Sequence, residues 1–181
     1  MQVKIDFVVT WVDGNDPRWL GKYNKYRNED TLDVKKARFR DYNIFRYWFR
    51  TIENYAPWVN HVFLVTDQQI PEWLNVNHPK LTVVDHREII PENYLPLFNS
   101  NAIELNLYKI QNLSENFVYF NDDMFLNRPV KPRDFFSKEG LPKDTAGLNA
   151  IQPLYDFDYI HVNNMKIINE NSKTNKINKN I

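Results

Sequence analysis

The sequence contains no cysteine, which excludes disulfides, thiolate metal sites and a cysteine nucleophile. It also carries no net charge, since 23 Lys and Arg residues balance 23 Asp and Glu residues. With neither a global basic field nor a polybasic cluster, nucleic acid is not an expected partner, and nothing points to anionic lipid. No run approaches the roughly 20 apolar residues that a bilayer-spanning helix needs. The opening stretch MQVKIDFVVTWVDG is interrupted by Asp6 and ends at Asp13, unlike the long uncharged core of a secretory signal. A soluble, cytoplasmic protein is the expectation. No GxSxG, P-loop, GxGxxG or HExxH pattern occurs. The four histidines, His61, His78, His86 and His161, are scattered and read as structural, with His161 the only one considered as a base.

Apolar residues make up 43% of the 181 positions and aromatic residues 15%, enough for one globular core. Four short runs rich in β-branched and aromatic residues predict buried strands at 5–12, 61–66, 81–85 and 117–120. Near-continuous apolar runs of this kind suit a mainly parallel sheet covered on both faces. Between them, Phe45, Trp48, Phe49 and Ile52 form one stripe of a helix predicted over 41–55. Ile103, Leu107 and Ile110 mark a second helix over 102–111, with Asn101 as its cap and Glu104 three residues on. The alternation predicts an α/β domain with right-handed crossovers. From 129 to 142 the chain turns proline-rich and loop-like, and 163–181 is dominated by Asn and Lys. The latter reads as a frayed helix or a disordered tail.

Four clusters are able to carry chemistry. The first is Asn121, Asp122 and Asp123, directly after a buried strand. Ligands in open α/β sheets sit beyond the carboxyl ends of strands, and adjacent carboxylates there repel unless a cation neutralises them. Mg²⁺ or Mn²⁺ holding a diphosphate does so; a solvated turn is the plain alternative. The second is the loop after the first strand. There Gly14 permits positive φ, Trp11 presents a ring for stacking, and Asp16 and Pro17 equally describe an ordinary helix start. The third is Arg46 and Arg50, four apart on one helix face and suited to phosphate oxygens, or simply solvated. The fourth is Asn99, Ser100 and Asn101 at a predicted helix start, where plain capping explains at least one.

In order, Ile5 to Trp19, Arg40-Asp41, Phe45-Arg46-Tyr47, Pro71-Glu-Trp-Leu74, Phe98-Asn-Ser-Asn-Ala-Ile-Glu104 and Phe120-Asn-Asp-Asp-Met-Phe125 strongly resemble the first and second regions of the Stealth family. That family includes bacterial capsular and exopolysaccharide phosphotransferases and the catalytic part of the animal N-acetylglucosamine-1-phosphotransferase. The resemblance implies a glycosyltransferase-A-like fold, here incomplete. It implies transfer of a hexose 1-phosphate, N-acetylhexosamine 1-phosphate being the expectation, from a UDP-sugar to a glycan or lipid-linked oligosaccharide, with release of UMP. Asp122 and Asp123 are expected to hold the ion, and Thr10, Trp11, Asp13 and Gly14 to form part of the nucleotide pocket. Asp41 and Arg46 are expected to face the sugar phosphate, and Asn99, Ser100 and Asn101 to contact the donor or the ion. Association with membrane-bound polysaccharide assembly machinery, at the inner face of the membrane, is expected to be peripheral at most.

The stretch 159–169 resembles the opening of a third family region. Residues 1–162 therefore read as the N-terminal part of the catalytic domain, and 163–181 as a tail or the truncated start of a further region. On that reading the chain by itself is expected to transfer little and to expose apolar surface. An ordinary glycosyltransferase releasing UDP and an inactive binding module are the alternatives.

Overall fold

The computed structural model describes residues 4–26, 39, 42–143 and 159–171. They fall into two units, Met1–Lys143 and Asp144–Ile181. The first is built on four parallel strands, β1 (Ile5–Thr10), β2 (Val62–Thr66), β3 (Leu81–Asp85) and β4 (Asn116–Asn121), in the spatial order β3-β2-β1-β4. The chain thus leaves β1 toward β2 and β3 on one side and returns on the other side as β4. The strand order reverses between β1 and β4. In doubly wound sheets a crevice opens at such a point, beyond the strands' carboxyl ends. Register brings those ends level: Thr10 lies opposite Val65 and Asn121, and Thr66 opposite Asp85.

Alternation along β1 explains why the sheet is covered on both faces. Phe7, Val9 and Trp11 pack with Phe45, Trp48 and Ile52 of helix α2 (Phe45–Tyr55). Val8 packs on the opposite face with Phe63, Val65, Val84, Ile103 and Leu107. Trp48 is wholly enclosed and meets Phe120 edge-on at 5.5 Å. Removing a ring of this kind costs about 3–5 kcal/mol.

Asp6 is equally enclosed, yet it is satisfied. One oxygen accepts from Asn60 Nδ2 at 2.6 Å and the other from the Ser114 backbone N–H at 2.7 Å. The carboxylate that breaks the opening apolar run therefore pins the start of β1 to the approach of β4.

The remaining elements of the first unit are short except for helix α1 (Pro17–Tyr26). Helix α3 (His86–Ile89) follows β3 without a break, its start closed by a capping box between Asp85 and Glu88. Helix α4 (Ser100–Glu104) and a 3-10 turn at Leu107–Lys109 occupy the stretch expected as one helix over 102–111. Asn99, rather than Asn101, caps α4: its Oδ1 accepts the Asn101 N–H at 3.0 Å. Helix α2 starts at Phe45 rather than 41, with Asn43 at positive φ (58°) just before it. Helix α5 (Pro132–Phe135) interrupts the expected loop. In the second unit, helix α6 (Tyr159–Asn171) has no buried residue; the rest of the expected tail lies outside the described residues.

Candidate functional site

A cavity of about 350 Å³ opens over the carboxyl ends of the strands. β1 supplies Thr10, and the loop after it Trp11. β4 and its turn supply Asn121, Asp122 and Asp123, and α4 supplies Ser100. Six of the residues singled out in the sequence as able to carry chemistry therefore meet at one place: Thr10, Trp11, Ser100, Asn121, Asp122 and Asp123.

A polar network spans the reversal point beneath them. Thr10 Oγ1 and Tyr119 Oη are 3.0 Å apart, and Tyr119 Oη donates toward Asn121 Oδ1 at 2.8 Å, with Glu104 Oε1 at 3.3 Å. Burial, reinforced by the Glu104 carboxylate, pushes the Tyr119 hydroxyl up to about 12. It stays protonated and ties β1 to β4 at neutral pH. The turn after Asn121 then closes through the Met124 N–H to the Asn121 carbonyl at 3.1 Å, holding Asp122 and Asp123 at the strand end.

The loop from β1 to α1 is held from behind. Gln69, almost fully buried, accepts the Asp13 N–H through Oε1 at 3.0 Å and donates through Nε2 to the Asp13 carbonyl and to Asp16 Oδ2, both at 3.1 Å. The Gln69 bond, strengthened by the Arg18 N–H, holds the Asp16 carboxyl below its ordinary value despite opposing desolvation. Asp16 Oδ1 accepts that Arg18 N–H at 2.8 Å, the ordinary capping role. Asp13 Oδ1 accepts the Asn15 N–H at 2.8 Å, so its carboxylate shapes the turn.

Gly14 does not use positive φ. A Cβ there would lie 2.7 Å from Phe39 Cβ and strike the Phe39 carbonyl, so close approach demands the glycine. Trp11 likewise differs from expectation. One face of its indole is stacked on Phe45 at 5.8 Å, and its Nε1 is enclosed with no hydrogen-bond partner among the described residues.

Asp13, Gly14, Asn99 and Asn101 do not line the cavity. Arg46 lines a different one, of about 600 Å³ between α2 and the 73–81 loop, together with Arg50. Its Nη2 donates to Asn43 Oδ1 at 2.6 Å. Asp41 lies outside the described residues, and His161 is exposed on α6.

The cavity also takes in Asp67, one position past β2, which the sequence did not single out, and His86, one past β3, which was read there as structural. The strand-end rule that singled out Asp122 applies equally to them. Burial is the main cause that holds His86 below its ordinary value, with Lys22 adding to it against the pull of Asp67 and Asp85.

Residues 3–31 match the family model for Stealth protein CR1, conserved region 1, and residues 38–144 match that for Stealth protein CR2, conserved region 2. The chain belongs to the Stealth family. It is 59% identical over 167 residues to the exopolysaccharide phosphotransferase cps2G of Lactiplantibacillus plantarum, covering 92% of this chain and 49% of that protein. It is 51% identical over 183 residues to the receptor polysaccharide phosphotransferase WefC of Streptococcus oralis, covering 98% and 55%. It is 51% identical over 168 residues to the capsular polysaccharide phosphotransferase CpsJ of Streptococcus thermophilus, covering 91% and 70%. The chain thus spans about half the length of the first two relatives. In this Stealth chain the CR1 match holds β1 and the loop behind the cavity, and the CR2 match holds the carboxylate end. No described helix is long and apolar enough to cross a membrane.

Proposed function

We propose that the strand-end cavity binds the nucleotide-sugar donor of a polysaccharide phosphotransferase. The reaction moves a hexose 1-phosphate from a UDP-sugar to a glycan hydroxyl. The acceptor oxygen attacks the phosphorus that bears the sugar, the bond from that phosphorus to the bridging oxygen breaks, and UMP leaves. The observation that carries this reading is the convergence of Asp122 and Asp123 with Thr10, Trp11 and Ser100 at the point of strand reversal. The named activity of the relatives supports it.

Asp122 and Asp123 are the residues that would hold Mg²⁺ or Mn²⁺. The described residues contain no group of three His, Cys, Asp or Glu able to enclose a metal by themselves. Two carboxylates that leave the other ligand positions to phosphate oxygens and water are the usual arrangement for Mg²⁺ on a nucleotide. When bound, the ion supplies charge neutralisation on the diphosphate. The chain's own work is positional. The Thr10–Tyr119–Asn121 network fixes the carboxylate turn, and Ser100 offers a hydroxyl to the donor.

The experiment supplies UDP-N-acetylglucosamine, Mn²⁺ and glycan acceptors to the chain extended to the length of its relatives and identifies the nucleotide released. Acceptor-dependent UMP is the expected product. UDP would establish an ordinary glycosyltransferase instead, and donor binding without any release a binding module.

A further inference from the structure

The carboxylate pair accounts for one end of the strand-end cavity. At the other end stand Asp67 and His86, which the proposed chemistry leaves unused. His86 is only 7% exposed, and its Nδ1 is enclosed with no hydrogen-bond partner among the described residues. A buried polar atom left unpaired is costly, and a ligand that pairs it recovers that cost. Burial keeps the imidazole neutral near pH 7, so the ring offers a single N–H.

Asp67 beside it is also enclosed, its side chain 10% exposed. Lys22 Nζ lies 3.1 and 3.0 Å from its two oxygens. A carboxylate has about four lone-pair positions, so both oxygens retain accepting capacity. One cavity end therefore holds a fixed acceptor next to a fixed donor.

Strand order gives the separation of the two ends. From β3 to β4 there are three strand spacings, about 14 Å in all. That is the reach of a nucleoside diphosphate laid across the strand ends, with its phosphates at β4 and its base over β2 and β3.

We infer that Asp67 and His86 read the base edge of the donor and select uracil over cytosine, an inference that rests on the proposed donor-binding role of the cavity. Uracil carries a hydrogen on N3 flanked by carbonyl oxygens. Asp67 accepts that hydrogen, and the His86 N–H donates to a flanking oxygen. Cytosine presents a bare N3 lone pair, which the carboxylate repels. A site built around such pairing rejects an analogue that leaves its buried groups unpaired.

Isothermal titration of the 181-residue chain with UMP, CMP and UDP, the last with and without Mn²⁺, tests this. UMP is expected to bind at least about tenfold tighter than CMP. Asp67→Asn, whose amide is able to face either form of N3, brings the two within about threefold. His86→Leu weakens UMP about tenfold. Should Asp67→Asn fail to fold, His86→Gln carries the same UMP-to-CMP comparison. Asp123→Asn removes the Mn²⁺ effect on UDP and leaves the UMP-to-CMP ratio alone. A ratio that both end-wall variants leave unchanged, with Mn²⁺-dependent UDP binding intact, overturns the base assignment and spares the proposed function. A folded chain that binds no UDP under either condition overturns both.

Discussion

At the residue scale, Asp123 and Gly14 make opposite predictions. Asp123 is exposed at the end of β4 and contributes little to packing. Asp123→Ala should therefore change stability by no more than about 0.5 kcal/mol while lowering UMP release, in the chain extended to its relatives' length, on the order of 100-fold. A variant with near-normal turnover in Mn²⁺ would contradict the ion assignment. Gly14 faces Phe39 so closely that an added methyl has no room. Gly14→Ala should destabilise by about 1–3 kcal/mol, read as a lower unfolding midpoint. Gly14 and Asp123 both stood out in the sequence, Gly14 for the wrong reason. Composition shows that a glycine sits in a turn, but the neighbour that demands it, Phe39, lies 25 positions away and is brought near only by the fold. Asp6 is the converse. In the sequence it merely breaks an apolar run, whereas in the fold it is a buried carboxylate with two donors. Asp6→Ala should cost about 3 kcal/mol.

At the element scale, the loop between β1 and α1 owes its shape to Gln69 after β2. Gln69→Leu removes three hydrogen bonds at once and frees the loop that carries Trp11. The pH response follows from Asp16, whose folded carboxyl lies below its ordinary 3.8. A group depressed on folding adds stability above the unfolded value and loses it as pH falls through the folded one. The chain should therefore lose stability below about pH 4, and Gln69→Leu should flatten that loss; acid titration of the unfolding midpoint measures both.

The strands were legible because periodicity and β-branching report burial directly. All four fall within two residues of their expected bounds, and β3 matches throughout. Helix boundaries were less so. The helix expected over 102–111 breaks into α4 and a 3-10 turn, and Asn99 takes the cap that the Asn101–Glu104 spacing suggested. Asn99 and Asn101 are chemically alike, and only backbone geometry decides which caps.

At the scale of the whole first unit, the order β3-β2-β1-β4 turns separate motifs into one site. No periodicity reveals which strands become neighbours. Topology alone sets Asp67 and His86 across the same opening as Asp122, and sends Arg46 to another cavity. In the second unit, α6 exposes Ile160, Val162, Met165, Ile167 and Ile168. Exposed apolar side chains of this kind favour association. Gel filtration should show concentration-dependent self-association, reduced by Ile167→Lys with Ile168→Lys. The central claim is that the strand-end cavity holds the donor diphosphate through a divalent ion, and paramagnetic broadening by Mn²⁺ in the amide NMR spectrum tests it most directly. With UDP-N-acetylglucosamine present, broadening should centre on residues 121–124 and reach Thr10 and Trp11, and Asp123→Asn should abolish it. Broadening centred on Arg46 and Trp73, or independent of the nucleotide sugar, would contradict the account.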